Sequence, residues 1–131
     1  MTPEELALDP YVAAFPEIAP FWQAAARGSL VLPRCTQCGQ THWHPRAQCP
    51  FCRAEAIEWH AASGRATLHT FTEIQRADGN YVLAYAQLEE GPLVLTNIVD
   101  ADAAALRIGA SLQVAFRPAK EGRTAPVFRP C

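Results

Sequence analysis

Four cysteines spaced as two Cys-x-x-Cys pairs are the side chains of this sequence best suited to chemistry. Cys35 pairs with Cys38 and Cys49 with Cys52, and residues 39–48 separate the two pairs. Each Cys-x-x-Cys turn points two thiolates at one place, so two turns can complete a tetrahedral sulfur site of the kind that holds zinc. A closed set of four thiolates leaves no position for a catalytic water. The spacing therefore predicts a structural Zn²⁺ site.

Other roles for the same four cysteines are less favoured than a zinc site. A rubredoxin-type iron site shares the geometry, but the sequence shows no second redox element. Two disulfides are disfavoured because they would close loops too short to add much stability. His42 and His44 lie between the two pairs and could compete for the metal. Four thiolates at the better spacing favour placing both histidines in the strands of the ribbon instead.

Composition restricts the partners that this chain could have. The 131 residues are 50% hydrophobic, with a formal net charge of −2, enough for one domain or for a small domain plus a metal-held module. The sequence pI is about 6.0, unlike the strongly basic domains that bind phosphate backbones. No apolar run approaches the roughly 18 residues of a membrane span. The acidic start is not a secretory leader, and paired thiols fit a reducing cytoplasm.

Residues 1–29 are predicted to contain a poorly fixed arm and one short helix. Pro20 suits a first helical turn, and Gly28 suits the position just beyond the last turn. Phe21 and Trp22 are two large adjacent aromatic side chains on this helix. Because aromatic anchors are common at interfaces, they either dock on the chain's own core or reach a partner.

The rest of the chain divides into a zinc ribbon over residues 30–62 and a β-domain over residues 63–131. In the ribbon, strands are predicted at 30–32 and 41–44, on either side of the first knuckle. From residue 65 the hydrophobic period becomes two, which indicates strands. We expect strands at 65–74, 81–88, 93–99, 111–116 and around 127–128, with a short helix at 101–106 capped by Asp100. Five strands with a helix between the third and fourth are the plan of an OB-type barrel. The predicted fold is therefore mainly β: an N-terminal helix, a rubredoxin-like zinc ribbon and a five-stranded OB-fold barrel.

Motifs of the common enzyme classes are missing from the sequence. There is no glycine-rich phosphate loop, no Gly-x-Ser-x-Gly elbow and no His-Glu-x-x-His. His60 and His69 have no paired nucleophile or carboxylate at suggestive spacing, so both are interpreted as structural. A few basic residues gather near the ribbon, and an ordinary solvated face is the favoured explanation for them: Arg27, Arg34, Arg46 and Arg53.

This order of elements resembles one family, the rubredoxin-like zinc ribbon fused to an OB-fold that is known as domain of unknown function 35. The resemblance covers about residues 15–131. It is carried by the segments 21–30, 32–39, 44–46, 49–52, 63–68, 90–92, 95–97, 106–109 and 126–130. His42-Trp43-His44 departs from the pattern, because the family more often has plainer hydrophobic residues and proline there.

The resemblance implies a non-catalytic accessory subunit that binds an acyl-CoA enzyme. Such proteins accompany thiolases, lipid-transfer-type aldolases, enoyl-CoA hydratases or hydroxymethylglutaryl-CoA synthase, and help to bind or channel the acyl-CoA. The expected assembly is a hetero-oligomer. Phe21 and Trp22 are then candidates for contact with the partner or the pantetheine arm. Arg34 and Arg46 are candidates for the CoA phosphates, because a guanidinium fork suits phosphate geometry.

The alternative function is binding of single-stranded nucleic acid, which OB barrels perform with a basic groove and stacking aromatics. Phe71, Tyr81, Tyr85 and Phe116 could stack on bases. A barrel this poor in Lys and Arg lacks the electrostatic term that dominates such affinity, so the accessory-subunit reading is preferred. A stand-alone acyl-CoA enzyme such as a thioesterase lacks a nucleophile and a base.

Overall fold

Short helices begin the chain, and proline and capping residues mark their ends. The structure, a computed structural model that describes residues 2–131, contains α1 (Pro3–Leu8), α2 (Pro10–Ala14) and α3 (Ala19–Ala26). Asp9 caps α2, because its carboxylate accepts hydrogen bonds from the amides of Tyr11 at 2.9 Å and Val12 at 3.3 Å. Gly28 ends α3 with a φ of 76°, as the sequence predicted. No helix within residues 2–131 is long and apolar enough to cross a membrane.

The N-terminal arm is not poorly fixed, so this part of the sequence prediction was wrong. Leu6 and Val12 are only 2% and 3% exposed, and Asp9 is 6% exposed. Nη1 of Arg123 donates hydrogen bonds to both carboxylate oxygens of Asp9 at 2.9 Å. Residues 2–62 and Phe116–Ala125, which include both partners, form one compact unit of the chain. A buried pair separated by 114 residues leaves no periodic signal in the sequence.

Two antiparallel strands, β1 (Val31–Cys35) and β2 (Ile57–Ala61), support the ribbon. They pair from Val31 opposite Ala61 to Cys35 opposite Ile57. The predicted strand over 41–44 is wrong, because that segment contributes only a single bridge, between Arg34 and Thr41. The partner of β1 comes instead from beyond the second knuckle. Its half-buried side chains show no clear period, so the sequence did not reveal it.

Five further strands close into the predicted barrel. They are β3 (Arg65–Ile74), β4 (Tyr81–Leu88), β5 (Leu93–Ile98), β6 (Ser111–Pro118) and β7 (Thr124–Pro130). The barrel order is β3-β4-β5-β7-β6. All of its described pairings are antiparallel except β5 with β7, which run parallel where Ile98 faces Phe128. This connectivity confirms the OB-type fold.

Side chains from all five strands fill the barrel, and along β4 and the start of β3 buried residues alternate with more exposed ones. The buried ones include Leu68, Ala84, Ala86, Ile98, Leu112 and Phe128. A bulge between Leu68 and Thr70 shifts the register of β3, so the inward side changes along that strand. The predicted connecting helix is reduced to a 3-10 turn at Ala103–Ala105, and Asp102 rather than Asp100 caps it. The barrel residues 63–115 and Pro126–Cys131 form the second compact unit.

Candidate metal centre

The first knuckle begins at Cys35, the last residue of β1. The amide of Cys35 donates to the carbonyl of Gln40 at 3.0 Å, and the amide of Gly39 donates back to the carbonyl of Cys35 at 2.9 Å. The turn between them also directs the amide of Cys38 to Sγ of Cys35, at 3.5 Å. Gly39 has a φ of 78°, a conformation that glycine adopts without strain. The turn thus presents two sulfur atoms on the same side.

The second knuckle repeats the two backbone hydrogen bonds at the same offsets, whereas its amide-to-sulfur contact starts one residue earlier. The amide of Cys49 donates to the carbonyl of Ala54 at 2.9 Å, and the amide of Arg53 donates to the carbonyl of Cys49 at 2.9 Å. The amide of Phe51 points to Sγ of Cys49 at 3.4 Å. Arg53 takes the place of Gly39 and has a φ of 67°. The sequence analysis missed this equivalence, which equal spacing from the two leading cysteines could have shown.

The two knuckles bring their four sulfur atoms together. All four lie within 4.8 Å of one another. Sγ of Cys35 is 3.6 Å from Sγ of Cys52, and Sγ of Cys38 is 3.6 Å from Sγ of Cys49. Sulfur atoms bound tetrahedrally at the Zn–S distance of about 2.3 Å lie about 3.8 Å apart, so the cluster has the size that zinc requires. None of the cysteines is in a disulfide.

Backbone amides lower the pKa values of these thiols, whereas burial and the neighbouring sulfur atoms can raise them. The amide of Cys38 lowers the pKa of Cys35 below its ordinary value of 9.0. Burial opposes ionisation of Cys49, yet the amides of Cys52 and Phe51 lower the pKa of its thiol to about 7. The amide of Ala54 favours the Cys52 thiolate, but burial and the neighbouring sulfurs raise its pKa to about 11. A bound divalent cation would favour the thiolate form of all four cysteines, because a metal ion deprotonates the thiols that it coordinates.

His42 is buried close to the knuckles but does not belong to the sulfur cluster. Its side chain is 3% exposed, and within residues 2–131 neither ring nitrogen has a hydrogen-bond partner. Burial, and secondarily the charge of Arg46, lower the pKa of His42. By contrast, His60 is satisfied through a 3.1 Å hydrogen bond between its Nε2 and Oγ1 of Thr41, in line with a structural role. His42 is therefore a buried polar ring without compensation, which is costly.

Replacing His42 with leucine is expected to leave one zinc ion per chain. It should also leave the free energy of unfolding unchanged or raise it by about 1 kcal/mol, because no hydrogen bond is lost and a polar ring is removed from the interior. Metal analysis of the purified variant, together with thermal unfolding, checks both expectations. Loss of the metal in His42→Leu would show that the imidazole is a ligand.

The predicted contact residues Phe21 and Trp22 lie inside the first compact unit. Phe21 is 8% exposed and its ring centroid lies 4.8 Å from that of Trp43 and 5.1 Å from that of Trp22. The guanidinium of Arg123 covers the face of Trp22 at 4.9 Å. The ring of Phe21 thus packs on the chain's own core. The aromatic pair connects α3 to the ribbon.

Arg34 and Arg46 are both exposed, on different parts of the ribbon. Arg34 is on β1. Arg46 lines a groove of about 750 Å³ along the second knuckle, together with Arg53, Glu17 and Glu55. The structure therefore does not place Arg34 among the lining residues of the groove that contains Arg46. Two carboxylates in the same groove offset much of the positive charge of the two guanidinium groups.

A rubredoxin-like zinc ribbon followed by a five-stranded OB barrel is the class of protein that this fold and cluster define. The family described as "ChsH2, rubredoxin-like zinc ribbon domain" matches residues 22–58, and "ChsH2, C-terminal OB-fold domain" matches residues 59–117. The chain belongs to this ChsH2 family of DUF35 proteins. Membership confirms the resemblance found in the sequence, and with the four-cysteine cluster it confirms the predicted structural zinc site.

Two curated relatives have different descriptions. A protein of Methanothermobacter thermautotrophicus, described as a DUF35 domain-containing scaffold protein, is 32% identical over 102 residues, which are 72% of this chain and 77% of the relative. A probable enoyl-CoA hydratase alpha subunit of Thermomonospora curvata is 28% identical over 116 residues. That match covers 84% of this chain but only 36% of the relative.

Two solved structures share the fold. One is described as the Ltp2-ChsH2(DUF35) aldolase and has a TM-score of 0.79 at 27% identity, covering 87% of this chain and 94% of the other. The other is a protein of unknown function from the DUF35 family of Sulfolobus solfataricus. It has a TM-score of 0.65 at 13% identity and covers 98% of this chain and 95% of the other. At that identity the second structure supports the fold alone.

Proposed function

We propose that this chain is a non-catalytic accessory subunit that binds an acyl-CoA enzyme of the thiolase fold, or a related aldolase or hydratase, as a hetero-oligomer. The observation that carries the proposal is the similarity to a solved structure described as the Ltp2-ChsH2(DUF35) aldolase, a match that covers 87% of this chain and 94% of the other. Relatives described as a scaffold protein and as a subunit of a probable hydratase support the same role.

In this proposal Cys35, Cys38, Cys49 and Cys52 hold the zinc ion, and the metal has a structural role. A four-thiolate set fills the tetrahedral shell, so it offers no open position for water or substrate. When bound, the ion crosslinks the two knuckles and keeps β1 and β2 paired. The chain thus supplies a rigid platform, and the acyl transfer or carbon–carbon bond chemistry belongs to the partner. The unbridged thiols suit a reducing, cytoplasmic location.

The chain is further proposed to assist binding or channelling of the acyl-CoA in the complex. Arg46 and Arg53 share an open groove and can donate to CoA phosphates in the forked geometry that guanidinium groups favour. Arg34, exposed on β1, is a second candidate for this contact. Phe21 and Trp22 act indirectly here, because their mutual contact and those with Trp43 and Arg123 hold the ribbon against α3.

Purification of the tagged chain from its native host tests the proposal. The expected result is stoichiometric recovery of one acyl-CoA enzyme, identified by mass spectrometry and by its turnover of an acyl-CoA. The matched control is the untagged chain carried through the same purification, which should recover no acyl-CoA enzyme. Recovery of the chain alone, or catalysis of an acyl-CoA reaction by the isolated chain, would contradict the proposed role.

A further inference from the structure

The outer face of the barrel across β3, β4 and β5 carries an uncharged, largely apolar surface. The register places Thr70, Tyr85 and Leu95 in one row across the three strands, and Thr72 and Leu83 in the next. Alternate residues of β4 fill the barrel interior, so Leu83 and Tyr85 point outward. Tyr85 is 44% exposed and Leu95 is 57% exposed. We name this surface, formed by these five residues and Leu93, the barrel face.

A shallow groove of about 170 Å³ crosses the barrel face. Thr70, Thr72, Leu83, Tyr85 and Leu95 line it together with Phe71 and Ala84, and no charged residue is among them. Pockets for small molecules and cofactors are typically larger, about 300–1,000 Å³. The groove therefore has room for a single large apolar side chain and is too small for an acyl-pantetheine arm.

The barrel face lies where OB folds usually bind their ligands. In OB folds the face formed by the second and third barrel strands is the usual binding surface for oligonucleotides and oligosaccharides, and here those strands are β4 and β5. Nucleic acid needs Lys or Arg beside the stacking aromatics, and the groove has neither. An anionic membrane surface likewise needs basic residues. The missing charge leaves an apolar protein surface as the chemically matched occupant.

We propose that the barrel face is the surface on which the partner acyl-CoA enzyme docks, with one large apolar side chain of the enzyme inserted between Tyr85 and Leu95. This inference rests on the proposed accessory function and specifies where on this chain the enzyme binds. Anchor side chains of this kind, buried in a small pocket near the centre of an interface, carry much of its binding energy. Exposed Thr70, Thr72 and Leu93 surround the groove and exclude water from it.

The enzyme is preferred to a second copy of this chain because the description of a solved structure with the same fold names a second protein. That structure, which matches 87% of this chain, is described as the Ltp2-ChsH2(DUF35) aldolase. Dimerisation through the barrel face is therefore treated as an outcome that contradicts the proposal.

Calorimetric titration of the enzyme recovered by co-purification tests the inference. Leu95→Asp and Tyr85→Thr are each expected to weaken binding by about tenfold or more, the loss that truncating an anchor side chain causes. Ile108→Asp is the matched control, because Ile108 is a 71% exposed aliphatic residue of the same unit and is not on the barrel face. It should bind like the unaltered chain. Unchanged zinc content and unfolding temperature show that each variant is folded.

Each outcome of this titration distinguishes the two proposals. If the unaltered chain and both barrel-face variants bind the enzyme equally, docking at this face is wrong while the accessory function stands. If the unaltered chain does not bind the enzyme, the accessory function itself fails. Sedimentation that shows a dimer of the unaltered chain, lost in Leu95→Asp, assigns the face to a second copy. Salt-sensitive binding of labelled oligothymidylate that Leu95→Asp abolishes assigns the face to nucleic acid, and either result overturns the inference.

Discussion

Removing the zinc ion with a strong chelator, or replacing Cys49 with serine, is expected to unfold the ribbon before the barrel. The ribbon segment has only two short strands, β1 and β2, too few to bury a core that could stand without the metal. Structural zinc contributes about 10–16 kcal/mol to the folding of small zinc-finger peptides, and this is more than the total stability of many domains. Limited proteolysis should therefore cut within residues 36–56 first, while the barrel strands remain protected.

Cys131→Ser is the matched control for this experiment. Cys131 is exposed and lies outside the sulfur cluster, so its replacement should change neither the zinc content nor the proteolysis pattern. Acid should release the metal as well, because protons compete with zinc for the thiolates. A metal-free protein whose ribbon stays as resistant to protease as the zinc-bound form would contradict a structural role for the ion.

Replacing Asp9 with asparagine is expected to destabilise the N-terminal unit strongly. The Asp9 carboxylate accepts two hydrogen bonds from Arg123 and caps α2. The side chains of Asp9 and Arg123 are only 3% and 13% exposed, so water cannot replace the lost partner. The guanidinium also covers the rings of Tyr11 at 5.2 Å and Trp22 at 4.9 Å. Asparagine at position 9 leaves the guanidinium only the exposed carboxylate of Glu121 at 4.0 Å, and breaking a buried ion pair is among the most damaging single changes.

The pH dependence of unfolding gives a second readout of the same pair. Burial alone would raise the pKa of Asp9, but the amide of Val12, Arg123 and the amide of Tyr11 together lower it below its ordinary value of 3.8. A carboxyl group whose pKa is lower in the folded than in the unfolded state stabilises the fold at pH values above its unfolded pKa. This contribution is lost as the pH falls through the folded pKa. The unaltered chain should lose stability below about pH 4, and Asp9→Asn should lose less over the same interval.

Glu89→Gln provides the control for the Asp9 variant. Glu89 pairs with Arg65 at 2.9 Å, but the two side chains are 49% and 65% exposed. Exposed pairs contribute little to stability, so the melting temperature of Glu89→Gln should hardly change. If Asp9→Asn and Glu89→Gln changed the melting temperature equally little, the ion pair between Asp9 and Arg123 would not stabilise the N-terminal helices.

Local signals in the sequence predicted the metal cluster and the barrel strands well. The four cysteines determine their own turns through hydrogen bonds that span five residues or fewer. The barrel strands alternate between buried and exposed side chains, and their turns contain Gly79 and Gly91 with positive φ. The knuckle turns and the strand alternation both depend on residues close together in the sequence, so local sequence patterns predict them.

Most of the larger features that the sequence did not predict depend on distant residues. Strand β2 pairs with β1 across both knuckles, and its strand-forming residues Ile57 and Trp59 do not reveal which strand it pairs with. The helices α1 and α2 are held by Leu6, Val12 and the Asp9–Arg123 pair, whose partners are far apart in the chain. The apolar outer side of β4 and β5 was visible as alternation, but only the cross-strand register shows that Tyr85 and Leu95 lie side by side.

Native mass spectrometry of the complex recovered from the native host tests the central claim most directly. The account predicts a hetero-oligomer of this chain with one acyl-CoA enzyme, with one zinc ion for each copy of this chain. Because the barrel stays folded without the metal, removal of the zinc should leave the enzyme bound, and the isolated enzyme rather than this chain should turn over the acyl-CoA. A chain that appears only by itself, or a complex that contains no zinc, would contradict the account.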